Sequence, residues 1–287
     1  MSGRYALLVG VSEYGPGYQS LPGTAIDIER LKQVLENPEM GSFTVDQVLN
    51  PEPQPLREKI ETFFGGRSRE DVLLFYFSGH GALDNATGSR LHLSTRQTRK
   101  NNQQFVESSA VEAAFLHRYL LSSRSHQKIV ILDCCFSGAM ANLLQKGEGS
   151  VNLQPLKAKG TVVLASCSAF DVSFQTKGGS ATDVAQSLYT RYLLEGIETG
   201  AARQGRSEWI FTQDLHTYAQ QRFQTELAAA VEPQIIVFEK EGYRIPIARA
   251  PKNDPKVDFR QTVVELLKEN DGNLDDLDRF DLEIVRE

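Results

Sequence analysis

Short apolar runs alternate along this chain with longer segments in which apolar residues recur at helical spacing. The runs are continuous and rich in β-branched and aromatic residues, which is typical of strands that are buried on both faces. They predict buried strands at residues 5–11, 72–77, 129–132 and 161–165. The intervening segments predict helices at residues 25–35, 55–64, 111–121 and 188–197. This order indicates an α/β fold, with a central, mostly parallel sheet and helices on both faces.

The carboxyl-terminal part is expected to close this domain and then to change in character. Residues 235–238 and 243–248 are interpreted as a pair of strands with Gly242 at the turn. Pro251 and Pro255 then mark a linker, and residues 251–287 contain six basic and eleven acidic residues. We therefore expect one domain over residues 1–250, followed by an acidic extension or linker.

Composition excludes several classes of protein. The 287 residues are 40% hydrophobic and 24% charged, as in ordinary globular proteins. The net charge of −6 and the lack of a basic stretch argue against a nucleic-acid partner. The apolar runs are far shorter than the roughly 18 residues that span a bilayer, and the amino terminus does not resemble a secretory signal. Three cysteines, two of them adjacent, form no disulfide framework, so we expect a cytoplasmic protein without a membrane partner.

Reactive residues follow two of the predicted strands directly. SGHG occupies residues 78–81 and DCCFSG occupies residues 133–138. Carboxyl ends of parallel strands meet at one edge of a sheet, where a cysteine thiol and an imidazole can form a nucleophile and its base. Taken alone, a histidine or a cysteine pair is more often a packing feature, but their joint occurrence at two strand ends favours catalysis. The spacing does not suit a zinc site.

Five segments, in order, carry a resemblance to a known family: YALLVGVSEY, LPGTAIDIERL, LLFYFSGHG, ILDCCFSG and SLYTRYLLEGI. They resemble the caspase-like cysteine peptidases, and most closely the bacterial relatives of metacaspases called orthocaspases. The resemblance covers residues 4–250 and implies a large-subunit-like part over 1–165 and a small-subunit-like part over 166–250. It implies that His80 is the catalytic base and Cys135 the nucleophile, with Cys134 as its neighbour. It also implies that the amides of Gly81 and Cys135 stabilise the oxyanion.

Charge near the expected nucleophile indicates the substrate class. A carboxylate at Asp133, two residues before Cys135, would repel an acidic substrate side chain. The resemblance places Asp27, Asp133 and Ser78 in the specificity pocket, whereas caspases that cut after Asp use arginine there. We therefore expect protein or peptide substrates with Arg or Lys before the scissile bond. Two alternatives stay open. Asp27 could be a carboxylate near a helix amino terminus, stabilised there by the helix dipole, and Asp133 could make a structural hydrogen bond at the end of its strand.

Other positions depart from the family's pattern. Metacaspases that require calcium carry aspartates where this chain has Asn142 and Thr95, so we expect no metal and no cofactor. Thr24 replaces a family cysteine beside the pocket, and Phe136 replaces a histidine. Cys167 is interpreted as a buried structural thiol.

The resemblance also implies a zymogen that cuts itself after its own basic residues. The candidate self-cleavage sites are Lys146, Lys157, Lys159 and Lys177. We expect a monomer, because metacaspase relatives are usually monomeric. The alternative function is a catalytically silent caspase-like module that binds a regulatory partner.

Overall fold

The computed structural model describes residues 2–88, 90–135, 156, 158–166, 186–205, 207–227, 234–237, 244–251 and 263. For Cys135 and residues 234–237, only the main chain is described. The strands are β1 (Arg4–Gly10), β2 (Thr44–Leu49), β3 (Val72–Leu83), β4 (Leu91–Leu93), β5 (Lys100–Asn101), β6 (Gln104–Phe105), β7 (Val111–Glu112), β8 (Gln127–Cys135), β9 (Thr161–Ala165), β10 (Trp209–Phe211), β11 (Gln234–Val237) and β12 (Pro246–Arg249). The helices are α1 (Gly23–Glu36), α2 (Pro53–Phe64), α3 (Ala113–Ser122), α4 (Leu188–Glu198) and α5 (Thr212–Leu227).

One large sheet organises these elements, in the order β11-β9-β8-β3-β1-β2. All neighbouring pairs in this row are parallel except β11 with β9. The four strands at its centre, β9, β8, β3 and β1, contain the four runs predicted as buried strands. The expected mostly parallel sheet is therefore confirmed.

Helices cover both faces of this sheet, as the sequence predicts. Alternate strand residues point to opposite faces, so each central strand contributes to two apolar clusters. Leu8 and Leu74 pack with α1, α4 and α5 on one face, whereas Leu7 and Leu73 pack with α2 and α3 on the other. Because both faces are buried, the middle of each central strand carries almost only apolar side chains.

Helix α2 shows how the sequence selects these helices. Pro53 stands at its start, where a missing N–H costs nothing and the fixed φ suits a helix. Leu56, Ile60 and Phe63 follow at spacings of one and two turns and are buried, while the remaining face is exposed.

Strands β3 and β8 extend further than their apolar runs predict. Both continue into the reactive motifs, β3 through Leu83 and β8 through Cys135. Beyond the end of β1, the last residues of β3 pair antiparallel with β4, from Gly81 with Leu93 to Leu83 with Leu91. The reactive residues are therefore held in sheet register rather than in loops.

The predicted pairing of strands 235–238 and 243–248 is wrong. Strand β11 pairs antiparallel with β9 in the large sheet, and β12 pairs antiparallel with β10 in a separate two-stranded sheet. The glycine at position 242 suggested a hairpin turn. Instead, each of the two strands pairs with a strand that is distant in sequence and supplies hydrogen-bond partners to the edge of that strand. Gly242 lies outside the described residues, as does most of the acidic segment after Pro251. In the part of the chain that the structure describes, no helix is long and apolar enough to cross a membrane.

Candidate active site

The two reactive motifs lie side by side in the sheet. In the parallel register of β3 and β8, Ser78 is opposite Asp133, Gly79 opposite Cys134 and His80 opposite Cys135. Hydrogen-bonded strands run about 4.8 Å apart. The main chains of the two predicted catalytic residues are therefore direct neighbours.

His80 is held by a main-chain carbonyl that lies in the loop after β1. Its Nε2 is 2.8 Å from the oxygen of Gln19. A carbonyl oxygen only accepts hydrogen bonds, so Nε2 donates and Nδ1 is left as the basic nitrogen of the neutral ring. Nδ1 is buried and has no hydrogen-bond partner among the described residues. The ring is thus set in the tautomer that can accept a proton at Nδ1.

The surroundings of His80 favour its neutral form. Burial lowers the pKa of His80, the bond to Gln19 opposes this, and the nearby charge of Lys100 lowers the pKa further. The imidazole is therefore neutral, and able to act as a base, at neutral pH.

Tyr14 supports His80 from the same loop, and sequence reasoning missed it. Its ring centroid lies 4.6 Å from that of His80. Its hydroxyl accepts a hydrogen bond from the His80 amide at 3.0 Å and donates to the Val11 carbonyl at 2.5 Å. Strand β1 ends at Gly10, opposite Ser78, so β1 provides no carbonyl for the His80 amide. The Tyr14 hydroxyl accepts the hydrogen bond in its place. The YGPGY segment after β1 was the available signal.

Tyr18 forms the other wall of the histidine site. Its ring centroid lies 5.4 Å from that of His80, and the Lys100 ammonium lies 5.2 Å from the Tyr18 ring. Burial raises the pKa of Tyr18 to about 12 and raises that of Tyr14 as well, so both hydroxyls stay protonated.

The Gly81 amide is left outside the β4 ladder. Ser94 N donates to the His80 carbonyl, and Asp84 N donates to the Arg90 carbonyl. In an antiparallel pair, residues with and without mutual hydrogen bonds alternate, so Gly81 opposite Leu93 belongs to a pair without them. Its N–H therefore points away from β4, towards the side of β3 on which β8 ends.

The two residues that precede Cys135 point to opposite faces. Cys134 is 2% exposed and belongs to the apolar cluster under α2 and α3, so it is a packing residue. Asp133 lies on the other face, where it accepts hydrogen bonds from Ser166 Oγ at 2.9 Å and Thr190 Oγ1 at 2.5 Å. The structural hydrogen bonds considered for Asp133 are therefore present.

Asp27 faces the same region from α1. It is 1% exposed, and the Ser187 amide donates to its two oxygens at 3.2 and 3.3 Å. Burial, followed by the nearby charge of Asp133, raises the pKa of Asp27 to about 8. Asp27 is the fifth residue of α1 and lies beyond its first turn, so the alternative role at the helix dipole is not supported.

Asp27 and Asp133 together make a buried acidic pair. Ser78 lies beside them, with its Oγ 3.5 Å from Thr24 Oγ1. Within the described residues, neither carboxylate forms an ion pair with a lysine or arginine side chain of the chain itself. Such a pair is chemically suited to receive a cationic group from outside.

Comparison with known families agrees with this geometry. A family model for the caspase domain matches residues 3–244. The chain belongs to the caspase domain family. This membership supports a cysteine-type peptidase, a hydrolase that acts on protein substrates. No curated protein matches the sequence.

Several predicted positions of this caspase domain lie outside the described residues. They are Phe136, Asn142, Lys146, Lys157, Cys167 and Lys177. Thr95 is buried in a turn, and its hydroxyl donates to the Ser109 carbonyl at 2.7 Å. Lys159 is exposed in the turn before β9. Across the described ranges, no cluster of three His, Cys, Asp or Glu residues could hold a metal ion.

Proposed function

We propose that this chain is a cysteine endopeptidase of the orthocaspase kind, which cuts after Arg or Lys with Cys135 as nucleophile and His80 as base. The observation that carries the proposal is the buried pair of Asp27 and Asp133, next to the strand tips that bear His80 and Cys135. Within the described residues, neither Asp27 nor Asp133 forms an ion pair with a lysine or arginine of the chain, which suits the pocket to select a substrate by positive charge.

In the proposed reaction, His80 moves the protons. Its Nδ1 takes the proton of the Cys135 thiol, and the thiolate attacks the scissile carbonyl carbon. The tetrahedral intermediate then collapses to a thioester as His80 returns the proton to the leaving amine. Water, deprotonated by His80, hydrolyses the thioester and restores the thiol.

The oxyanion of that intermediate requires donors that are already in place. We assign this role to the amides of Gly81 and Cys135. The Gly81 N–H lies on the side of β3 that faces β8 and Cys135, which supports the assignment. Removal of one such donor typically costs about 10²–10³ in rate.

The basic side chain of the substrate would lie between the acidic pair. A guanidinium presents several donors in a plane and can bond both carboxylates, whereas an ammonium acts as a point charge, so we expect Arg to be preferred over Lys. Ser78 would add a neutral contact. An aspartate in the same place would meet two acidic side chains and no positive partner from this pair, and would be rejected.

We further propose that the enzyme is monomeric and works without a metal ion. Position 95 supports the second point, because the Thr95 hydroxyl there is already bonded to a main-chain carbonyl and carries no charge for a cation.

Hydrolysis of matched fluorogenic peptides that end in Arg, Lys or Asp tests the function. We expect turnover of Arg and Lys peptides in chelator as well as in calcium, and its loss in Cys135→Ala. Asp27→Asn, which keeps the shape of the side chain, is expected to raise KM for Arg peptides with a smaller change in kcat. Turnover of Asp peptides would overturn the pocket assignment, and activity restricted to calcium would overturn metal independence. No turnover of any peptide would favour the catalytically silent module that binds partners.

A further inference from the structure

A basic cleft lies at the opposite end of the sheet from the candidate active site. Its basic side chains are Arg69, Arg124, His126, Lys128 and Lys159, and its volume is about 420 Å³. It opens at the amino-terminal ends of β3, β8 and β9. Strand β8 has nine residues, so the cleft and Cys135 are separated by about 25–30 Å along this strand.

Main-chain hydrogen bonds join the three segments that form this cleft. The His126 amide donates to the Arg69 carbonyl at 3.0 Å, and the Lys128 amide donates to the Gly160 carbonyl at 2.8 Å. Ser125 Oγ donates to the Asp71 carbonyl at 2.6 Å. The main chain that carries the basic side chains is therefore held in place by hydrogen bonds between the three segments.

Gly160 permits the close approach of the turn that bears Lys159. Its φ is +66°, and a Cβ there would lie 2.2 Å from the His126 carbonyl oxygen. Only glycine combines this backbone conformation with this contact. The sequence thus places Lys159 against the segment that carries His126 and Lys128.

Basic side chains dominate the described lining of this cleft. No acidic residue lines it among the described residues. Arg69, Arg124 and Lys159 form no ion pair within the described part of the chain. The nearby Asp71 carboxylate is engaged by the amides of Gly3 and Ser68. Asp71 and the carboxyl end of α3, which carries about half a negative charge, offset only part of the four full positive charges on the Arg and Lys side chains.

Polar and apolar features indicate the chemistry of an occupant. Ser123 Oγ is buried beside the cleft without a hydrogen-bond partner among the described residues. Lys128 is 3% exposed, and its ammonium, which donates to the Ser125 carbonyl at 2.9 Å, is held in place. Guanidinium and ammonium groups of this density suit phosphate oxygens, which accept several charge-assisted hydrogen bonds each. Leu121, 59% exposed, provides an apolar rim.

We propose that this cleft binds a ligand with a short chain of phosphate groups. Such a chain is found in inorganic polyphosphate and in nucleoside triphosphates, and the shared chemistry is the linked, multiply charged phosphate. The site does not depend on the proposed peptidase activity, and its test uses binding alone.

Calorimetric titration of the full chain with inorganic tripolyphosphate, at constant ionic strength, tests the proposal. We expect saturable binding at one site, and at least a roughly tenfold loss of affinity in Arg124→Ala/Lys159→Ala, since both charge-assisted contacts disappear. Both residues are exposed, so the double variant is expected to fold. The matched control is Lys32→Ala/Lys59→Ala, which removes the same charge from α1 and α2 and is expected to change affinity less than about twofold.

A second titration with ATP distinguishes the two sources of the phosphate chain. Equal affinity for ATP and tripolyphosphate would show that the chain alone is recognised, and tighter ATP binding would add a contact of the nucleoside with the Leu121 rim. Either result supports the site, provided the double variant loses affinity. Absence of saturable tripolyphosphate binding, or equal losses in the double variant and its control, would overturn it.

Discussion

At the residue scale, the chemistry of His80 depends on two groups that contribute no reactive atom. The Gln19 carbonyl sets the tautomer by accepting from Nε2, and the Tyr14 hydroxyl holds the amide of the same residue. Both belong to the loop after β1, which is not part of either reactive motif. The position of the proposed base is therefore determined by a segment that motif inspection does not reach.

The Tyr14 hydroxyl is predicted to be a positioning group. Tyr14→Phe leaves the ring against His80 but removes the acceptor for its buried amide, a change that costs about 1–3 kcal/mol. We expect kcat for an Arg peptide to fall about tenfold while KM stays nearly constant, because the pocket is untouched. Steady-state kinetics and thermal unfolding of the same sample measure both effects.

Tyr18→Phe is the control for that variant. The Tyr18 ring also lies against His80, but its hydroxyl is not the group bonded to the His80 amide. We expect kcat to change less than about twofold. Equal effects of the two substitutions on kcat would contradict a specific role of the Tyr14 hydroxyl.

The raised pKa of Asp27, about 8, predicts that binding of a basic ligand releases a proton. A bound cation favours the carboxylate and lowers this pKa, so below about pH 8 the proton must leave when the ligand enters. Affinity for benzamidine, a model of the Arg side chain, is therefore expected to rise with pH and to level off above about pH 8, by up to about tenfold per pH unit.

Titration of the Cys135→Ala protein with benzamidine measures this linkage without interference from the thiol. Calorimetry in two buffers of different ionisation enthalpy gives the number of protons released, expected near one at about pH 7. In Cys135→Ala/Asp27→Asn we expect weaker binding and no release. Release that persists in this variant would assign the proton to another group.

At the element scale, the pattern of apolar residues predicted the strands whose formation depends on burial alone. Continuous apolar runs identified β1, β3, β8 and β9, because a strand buried on both faces must be apolar at every position. The same criterion missed β2, an edge strand with partly exposed side chains, and α5, whose helical face is interrupted by polar residues. It also failed for β11 and β12, since strand partners distant in sequence cannot be inferred from a nearby turn.

In the candidate site, too, features set by local sequence could be predicted, and features set by residues distant in sequence could not. The placement of SGHG and DCCFSG at one edge of the sheet could be predicted because both motifs directly follow apolar runs, whereas the choice of Cys135 over Cys134 rests on the resemblance. The proximity of Asp27 to Asp133 was expected only from the resemblance, because α1 and β8 are far apart in the chain. The YGPGY segment drew attention to the loop that holds Tyr14, but the roles of Tyr14 and Gln19 could not be derived from it, since they come from where β1 ends relative to β3.

The packing of the turn before β9 against the segment before β8 can be tested at Gly160, with Gly66 as the matched control. Both have φ near +67°, at +66° and +68°, but a Cβ at Gly66 meets nothing within 4 Å. Gly66→Ala is expected to cost only the conformational penalty of about 1–2 kcal/mol. Gly160→Ala adds a clash with the His126 carbonyl, so we expect a loss of at least about 3 kcal/mol.

Urea unfolding of the two variants measures these free energies of unfolding. The penalty for a side chain at positive φ is common to both substitutions. The difference between the two losses therefore measures the packing of the Gly160 turn against the His126 carbonyl. Similar losses in the two variants would show that the turn at Gly160 can move away from His126 without cost.

At the scale of the whole molecule, β8 joins two regions of opposite charge. Its carboxyl end lies beside the acidic pair of Asp27 and Asp133, and its amino end lies beside the basic cleft with Lys128. A basic substrate residue and a phosphate chain would thus be drawn to opposite ends of the domain. The two ligands do not compete for one surface, so each can be titrated in the presence of the other.

Self-cleavage is also decided at this scale, because a scissile segment must reach the strand tips in extended form. Lys159 is exposed, but the next residue, Gly160, is buried against His126 and bonded to Lys128. The bond after Lys159 cannot extend without breaking this anchor of β9. Leu156 and Ala158, the neighbours of Lys157, are likewise buried in the apolar cluster under α2 and α3. We therefore predict that the first cuts fall after Lys146 or Lys177, and that Lys157 and Lys159 are cut only later.

Intact-mass spectra of the wild type during incubation, with Cys135→Ala as control, test this order. The earliest fragments are expected to end at Lys146 or Lys177, with Cys135→Ala remaining whole, because the proposed thiol performs the cut. A fragment ending at Lys159 among the first products would contradict the anchoring argument. A wild-type mass that never changes would contradict self-processing itself, while turnover of Arg peptides by the same uncut sample would show that the domain is active without it.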